Sequence, residues 1–274
     1  MNNVWVGDRL WPENEARIST FDHALLTGDG VFETVKVTGG RPFAMRRHLE
    51  RLARSAAGLG LTVPELGLVR GAAQEVLAAN GITDGRLRIT LTGGPAPLGS
   101  ERGETGPTLI VAAGPLAPWP LTADVAVCPW PRNDRGALVG LKTVSYAENV
   151  VALQWARGRG AGEAVFANLT GRLCEGTGTN VFVGSGGRLL TPPLSSGCLG
   201  GVTRQLLLEL GVAEEADLAV SALADADEAC LTSSTREIQP VGAVDGRALP
   251  AAPGPLTQKA VDAWADLCSR EPDP

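Results

Sequence analysis

The chain has 274 residues, of which 44% are hydrophobic and 20% are charged, and its formal net charge is −6. A chain of this length can bury one large core or two moderate ones. Its acidic balance and scattered basic residues argue against nucleic acids and anionic membrane surfaces as partners. The five cysteines form no CxxC pair and no apolar run reaches membrane-spanning length, so we expect a soluble, cytoplasmic protein with reduced thiols and no metal site.

The first half of the chain predicts alternating strands and helices. Runs rich in β-branched residues predict strands at 31–37, 86–92 and 108–113. The TGGR segment (38–41) after the first run predicts a hairpin turn. Helical spacing of apolar residues predicts one helix from Arg46 and a second over 64–79, closed by Asn80-Gly81.

A proline-rich stretch divides the chain. Residues 114–122 hold three prolines, which predicts a linker between a domain at 1–113 and a second at 123–274. The second half predicts strands at 124–130 and around 163–168, a helix after Lys142 that includes Tyr146, and helices from Val202 and over 256–269. We therefore expect a two-domain fold of the α/β (α+β) class.

The most informative stretch is 175–205, in which a carboxylate, Glu175, precedes a Gly-rich loop that opens a helix at Val202. The first backbone N–H groups of a helix bind phosphate when no bulky side chain blocks them. A carboxylate close to such a site in sequence suits a ligand that carries both a phosphate and a positively charged ring nitrogen. Pyridoxal phosphate is such a ligand, and it also requires a lysine for its aldehyde.

Lys142, in the segment GLKTVSYAENVVAL, is the candidate for that lysine. It is one of only three lysines among 24 basic residues. A lysine that forms a Schiff base must be held in place and partly desolvated, so that it loses its proton near neutral pH. A lone lysine before a helix is more often a solvated side chain, but its combination with the 175–205 stretch favours the cofactor role.

Five motifs in this order resemble the class IV aminotransferases, the fold-type IV family of pyridoxal-phosphate enzymes. They are FDHALLTGDGVFET (21–34), RPFAMRRHLERL (41–52), GLKTVSYAEN (140–149), the 175–205 stretch and ADEACLTSSTREIQPV (226–241). The family includes branched-chain and D-amino-acid transaminases and aminodeoxychorismate lyase. The resemblance implies the two-domain fold of these enzymes and covers nearly the whole chain.

The resemblance implies a role for each matching residue. Lys142 would carry pyridoxal 5'-phosphate and move the substrate's α-proton, Glu175 would face the pyridine nitrogen, and Tyr146 would bond the ring oxygen. The implied phosphate-binding residues are Arg51, Gly201, Val202, Thr203, Ser233 and Ser234. Arg88 and Arg102 are candidates for binding a substrate carboxylate, although a lone arginine is more often a solvated surface residue.

The resemblance leaves the reaction open. The LKTVSYAEN and LTSSTRE motifs favour aminodeoxychorismate lyase, which eliminates pyruvate and leaves 4-aminobenzoate for folate. Glu33 occupies a position where some lyases have threonine and transaminases have glutamate, so a transaminase acting on D-amino acids or branched-chain amino acids is the alternative. A cofactor-binding protein without turnover is disfavoured by the intact Lys142 and Glu175. Members of the family complete their sites from a neighbouring subunit, which implies a homodimer that binds a small carboxylate or amine substrate.

Overall fold

The computed structural model describes residues 2–274, which form two compact units. The first unit runs to Ala117 and also contains residues 141–146 and 272–274. The second unit contains residues 118–140 and 147–271. Lys142 and Tyr146 are therefore part of the first unit, although they follow the proline-rich segment in sequence. The domain boundaries given above stay a prediction.

The first unit is built on an antiparallel sheet of six strands in the order β2-β1-β6-β5-β3-β4. The strands are β1 (Asn3–Val6), β2 (Arg9–Pro12), β3 (Gly30–Thr38), β4 (Arg41–Pro42), β5 (Gly85–Thr92) and β6 (Thr108–Gly114). Gly39 and Gly40 have φ values of 56° and 73°. Such left-handed conformations are those that a two-residue hairpin loop requires, and they confirm the predicted turn.

Three helices complete the first unit: α1 (His23–Leu26), α2 (Met45–Gly58) and α3 (Leu66–Asn80). Residues at helical spacing on α2 and α3, such as Leu49, Leu52 and Val76, are buried against strand residues including Val35 and Ile89. The two predicted helices are confirmed. The second one ends at Gly81, whose φ of 60° is typical of a glycine that terminates a helix.

The second unit contains a mixed sheet of nine strands, with β12-β11-β10-β13-β14-β7-β8-β9 as its main path and β15 paired to β14. The strands are β7 (Ala123–Val127), β8 (Glu163–Ala167), β9 (Leu173–Gly176), β10 (Asn180–Ser185), β11 (Arg188–Thr191), β12 (Glu214–Glu215), β13 (Glu228–Ser233), β14 (Glu237–Val244) and β15 (Arg247–Ala248). The central strands β10 and β13 are buried along almost their whole length. They provide rigid supports for the loops at their ends.

The helices of the second unit are α4 (Ala147–Arg157), α5 (Val202–Glu209) and α6 (Pro255–Arg270). The predicted helix after Lys142 therefore begins at Ala147, and Tyr146 lies outside it. At the start of α6, the buried carboxylate of Glu228 accepts hydrogen bonds from the N–H groups of Leu256 and Thr257 at 3.0 and 2.7 Å. This side chain from β13 caps the helix, because the residue at its own N-cap is a glycine.

Candidate active site

In the first unit, Lys142 lies on a short extended segment beside strand β3. The N–H of Phe32 donates to the carbonyl of Lys142 at 2.9 Å, and the N–H of Lys142 donates to the hydroxyl of Ser55 at 3.1 Å. The N–H of Val144 donates in turn to the carbonyl of Gly30 at 2.9 Å. These bonds fix the backbone of Lys142. A lysine that must present its amine at one position requires such a fixed backbone.

The ring of Phe32 organises the side chains around this lysine. The Lys142 Nζ lies 4.5 Å from the ring centroid, and the Arg88 guanidinium lies 3.8 Å from it. Tyr146 packs edge-on against the same ring, with centroids 5.3 Å apart. A buried ring contacted by two cations places an amine and a potential carboxylate-binding group in one neighbourhood. Three predicted site residues, Lys142, Tyr146 and Arg88, are thus brought together.

Strand β3 and helix α2 share a buried charge cluster around Glu33, the residue that follows Phe32. Arg51 donates to both carboxylate oxygens of Glu33 at 2.7 Å, and His48 Nδ1 lies 2.7 Å from the same carboxylate. Burial alone would raise the pKa of Glu33, but the charge and hydrogen bonds of Arg51 and His48 outweigh it and hold the pKa at about 2. Burial lowers the pKa of His48 despite its acidic neighbour. Arg51 is therefore oriented by Glu33, and its role in binding phosphate stays a prediction.

Arg102 is engaged within the first unit. It forms a two-point ion pair with Asp29, with both contacts at 2.7 Å, and donates to the carbonyls of Leu59 and Gly60 at 2.7 and 2.8 Å. The hydrogen bond and charge of Arg102 lower the pKa of Asp29. In this arrangement Arg102 anchors its own loop to the end of α2. Its predicted contact with a substrate carboxylate is not among these interactions and stays a prediction.

In the second unit, Glu175 is held at the end of strand β9. Its Oε2 accepts a hydrogen bond from the N–H of Leu199 at 2.9 Å, and its Oε1 lies 3.3 Å from Arg132 Nε. Arg132 also contacts Glu148 at 2.5 Å and stacks 4.0 Å from the Phe166 ring. The Glu175 side chain is 15% exposed, so a positively charged ring nitrogen can reach a carboxylate whose orientation is already set.

The start of helix α5 lies close in sequence to Leu199. Gly201 is the N-cap residue, and Val202 and Thr203, the first helical residues, are buried. A Cβ on Gly201 would clash with Oδ1 of Asn180, whose amide nitrogen donates to the carbonyl of Leu199 at 2.8 Å. The first N–H groups of a helix have no intrahelical acceptor, so this end can bind an anion.

Ser233 and Ser234 lie at the hairpin between β13 and β14. The Ser233 hydroxyl accepts a hydrogen bond from the N–H of Arg236 at 3.1 Å, as in a local serine turn. It retains its own proton for donation to a ligand. The predicted phosphate-binding roles of both serines stay predictions.

The polar groups of the second unit have the chemistry that the two polar ends of pyridoxal phosphate require. Glu175 would offer its oriented carboxylate to the ring nitrogen, and the start of α5 would offer N–H groups and the Thr203 hydroxyl to the phosphate. On β13, against which α5 packs, the buried hydroxyl of Thr232 has no hydrogen-bond partner within residues 2–274. A buried hydroxyl without a partner is rare in folded proteins and indicates a site for a polar ligand or water.

Sequence reasoning missed several members of this site. Arg132, in the segment PWPRND, contacts Glu175 from 43 positions away and carried no recognisable motif. Phe32 appeared only as an apolar strand residue, although its ring contacts Lys142 and Arg88. His48, a buried residue of α2 to which no motif assigned a role, bonds Glu33. Within the described residues, no helix is long and apolar enough to cross a membrane, and no group of three acidic, His or Cys side chains could hold a metal ion.

Comparison with known proteins identifies the family. Residues 30–244 match the model of amino-transferase class IV. A putative branched-chain-amino-acid aminotransferase of Methanocaldococcus jannaschii is 32% identical over 278 residues, which cover 96% of each chain. The aminodeoxychorismate lyase of Bacillus subtilis is 32% identical over 249 residues, covering 86% of this chain and 85% of the lyase.

A solved structure extends the comparison to the fold. A hypothetical aminotransferase from Mycobacterium tuberculosis, solved in its PLP-bound form, is 28% identical and has a TM-score of 0.85. The match covers 96% of this chain and 97% of the other. The predicted fold and cofactor are both confirmed. This chain belongs to the class IV aminotransferase family, the fold-type IV enzymes whose cofactor is pyridoxal 5'-phosphate.

Proposed function

We propose that this protein is an aminodeoxychorismate lyase, which converts 4-amino-4-deoxychorismate into pyruvate and 4-aminobenzoate. The observation that carries the proposal is the pairing of the Lys142 amine and the Arg88 guanidinium on one ring, that of Phe32. This pairing supports proton transfer next to a group that binds a carboxylate. The LKTVSYAEN and LTSSTRE motifs and the similarity to the Bacillus subtilis lyase support the choice of reaction.

In this proposal each residue has one task. Bound pyridoxal phosphate supplies the electron sink that acidifies the substrate's α-carbon. The Lys142 amine accepts the α-proton and returns a proton to the product. Glu175 holds a proton on the ring nitrogen, because a carboxylate in a poorly hydrated site favours the charged form of a base. The Arg88 guanidinium binds a carboxylate of the substrate and orients it.

A specific observation favours a second candidate, a transaminase for branched-chain or D-amino acids. The Methanocaldococcus jannaschii relative aligns over 96% of both chains, a wider match than that of the lyase. Glu33, which binds Arg51 and His48, is also the residue type that transaminases carry at this position. In this candidate Lys142 would again take the α-proton of the substrate, and a 2-oxo acid would be the final acceptor of the amino group.

One assay separates the two candidates. Purified protein loaded with pyridoxal phosphate is incubated with 4-amino-4-deoxychorismate and no oxo acid, and then with leucine or D-alanine plus 2-oxoglutarate. The lyase is expected to form pyruvate and 4-aminobenzoate in equal amounts in the first mixture. Amino transfer in the second mixture, with no product in the first, would overturn the lyase in favour of the transaminase.

We expect Lys142→Ala to abolish both the covalent attachment of the cofactor and the reaction. Without an amine at this position no group takes the α-proton, so the rate should fall by at least about 10²-fold. The absorption band of the bound cofactor measures attachment, and product formation measures the rate. Lys259→Ala, at an exposed position of α6, is the matched control and should behave as the wild type. An active Lys142→Ala variant would contradict the assignment.

From the resemblance to the class IV aminotransferases and aminodeoxychorismate lyase, we propose that the enzyme is a cytoplasmic homodimer that serves folate biosynthesis. The mass in solution tests the assembly, because a dimer has twice the 28.4 kDa of the chain. A single-chain mass for the fully active enzyme would contradict it.

A further inference from the structure

A buried arginine, Arg236, lies in the hairpin that joins β13 and β14. Its side chain is only 8% exposed. It donates to Glu163 Oε2 on β8 and to Gln239 Oε1 on β14, both at 2.9 Å, and its guanidinium lies 4.1 Å from the Trp119 ring. A guanidinium with two directed hydrogen bonds and a stacked ring holds one orientation.

Glu163 continues this connection to a second loop. Its Oε1 accepts hydrogen bonds from the N–H of Thr177, at 3.1 Å, and from the hydroxyl of the same residue. Thr177 lies two residues after Glu175, in the turn that leaves strand β9. The buried Arg236–Glu163–Thr177 chain therefore joins the hairpin of Ser233 and Ser234 to the turn next to Glu175.

The hairpin itself adopts a conformation that needs external support. Glu237, the residue after Arg236, has φ at 57°, a left-handed value that is unfavourable for a residue with a side chain. Such a conformation persists where surrounding contacts hold it in place. Two contacts supply this support. Arg236, which precedes Glu237, is held by its hydrogen bond to Glu163, and Trp264 Nε1 donates a hydrogen bond to Glu237 Oε1 at 3.2 Å.

We propose that Arg236 is a positioning residue that sets the spacing between the carboxylate of Glu175 and the hydroxyls of Ser233 and Ser234. This inference rests on the proposed roles of those three residues toward the ring nitrogen and the phosphate. A ligand that has both a ring nitrogen and a phosphate must match the distance between Glu175 and the two serines. A ligand without a phosphate needs only the contact of its ring nitrogen with Glu175. Loss of Arg236 therefore weakens binding of pyridoxal phosphate more than binding of pyridoxal.

The test compares these two ligands on apoenzyme. Dissociation constants for pyridoxal phosphate and pyridoxal are measured by absorption for the wild type, Arg236→Lys, Arg236→Met and the double variant Glu163→Gln/Arg236→Met. Arg236→Met alone leaves the buried carboxylate of Glu163 unpaired and can fail to fold for that reason. The double variant removes both charges and avoids this problem. Arg172→Met is the control, because Arg172 pairs with the exposed Asp217.

We expect the dissociation constant for pyridoxal phosphate to rise about tenfold in the double variant and in Arg236→Lys, as for other groups that support a binding shell. The constant for pyridoxal should stay as in the wild type. An unchanged ratio of the two constants in the double variant would overturn the positioning role, because a purely structural loss affects both ligands alike. A wild-type protein that binds neither ligand would instead overturn the proposed function, and this inference with it.

Discussion

At the scale of single residues, the most demanding feature is the fully buried carboxylate of Glu33. Burying an ionised carboxylate costs several kcal/mol unless partners replace the lost water. Arg51 and His48 supply three contacts at 2.7 Å, two from the guanidinium and one from the imidazole. The cluster therefore keeps its charge and fixes the orientation of Arg51, the arginine proposed to bind phosphate.

We expect Glu33→Gln to lower the free energy of unfolding by about 3–5 kcal/mol, because it leaves the guanidinium of Arg51 buried without its counter-charge. Urea denaturation of the apoenzyme measures the loss. Glu50→Gln is the control, since Glu50 forms an exposed pair with Arg46 one turn along α2 and such pairs contribute about 0.3–0.5 kcal/mol. Equal effects of the two substitutions would show that the buried cluster adds no more to stability than the exposed pair.

At the scale of elements, the start of α5 depends on a close approach between a loop and a strand. Gly201 has φ −65° and ψ 141°, an extended conformation that any residue can adopt. The glycine is required for space, because the Asn180 side chain from β10 occupies the place of a Cβ. This contact sets where the first N–H groups of α5 lie relative to the sheet.

We expect Gly201→Ala to displace Asn180 and weaken binding of pyridoxal phosphate, with a stability loss of about 1–3 kcal/mol from overpacking. A cofactor titration and a thermal denaturation curve measure the two effects. The neighbouring Gly200→Ala is the matched control, because its Cβ would meet its nearest atoms at 3.5 and 3.7 Å, ordinary contact distances. If both variants bind the cofactor equally well, α5 is not a phosphate site.

At the scale of the whole molecule, stability should fall as the solution is acidified. The folded-state pKa values of His48 and Glu33 lie below their usual 6.5 and 4.5, the latter at about 2. The unfolded chain therefore takes up more protons than the folded one below these usual values, and folding loses free energy as pH falls. The contribution of His48 to the free energy of unfolding should decline below pH 6.5, and the contribution of Glu33 should decline below pH 4.5.

Unfolding free energies measured from about pH 7 to about pH 3 test this expectation. The wild type should lose stability across the whole interval. Glu33→Gln should lose less below pH 4.5, because it lacks the carboxylate that titrates there. A pH profile that is identical in both proteins would contradict the shift assigned to Glu33.

The residues proposed to bind the cofactor and the substrate are divided between the two units. Lys142, Tyr146 and Arg88 belong to the first unit, and Glu175 and the start of α5 belong to the second. The first unit also includes residues 272–274, where Asp273 accepts a hydrogen bond from the N–H of Arg46 at 2.7 Å and caps α2. Membership in a unit is therefore decided by contacts between segments far apart in the chain.

The sequence by itself determined the features that depend on neighbouring residues. The hairpin at 38–41, the helices α2 and α3 and the start of α5 follow from glycines and from the spacing of apolar side chains, so they were predictable. The family motifs likewise identified Lys142 and Glu175. The tertiary structure alone decided which side chains meet: Glu33 with Arg51 and His48, Arg132 with Glu175, and Arg236 with Glu163. Those pairs are separated by 15 to 73 positions, and strand register and helix packing bring them together, which no local pattern records.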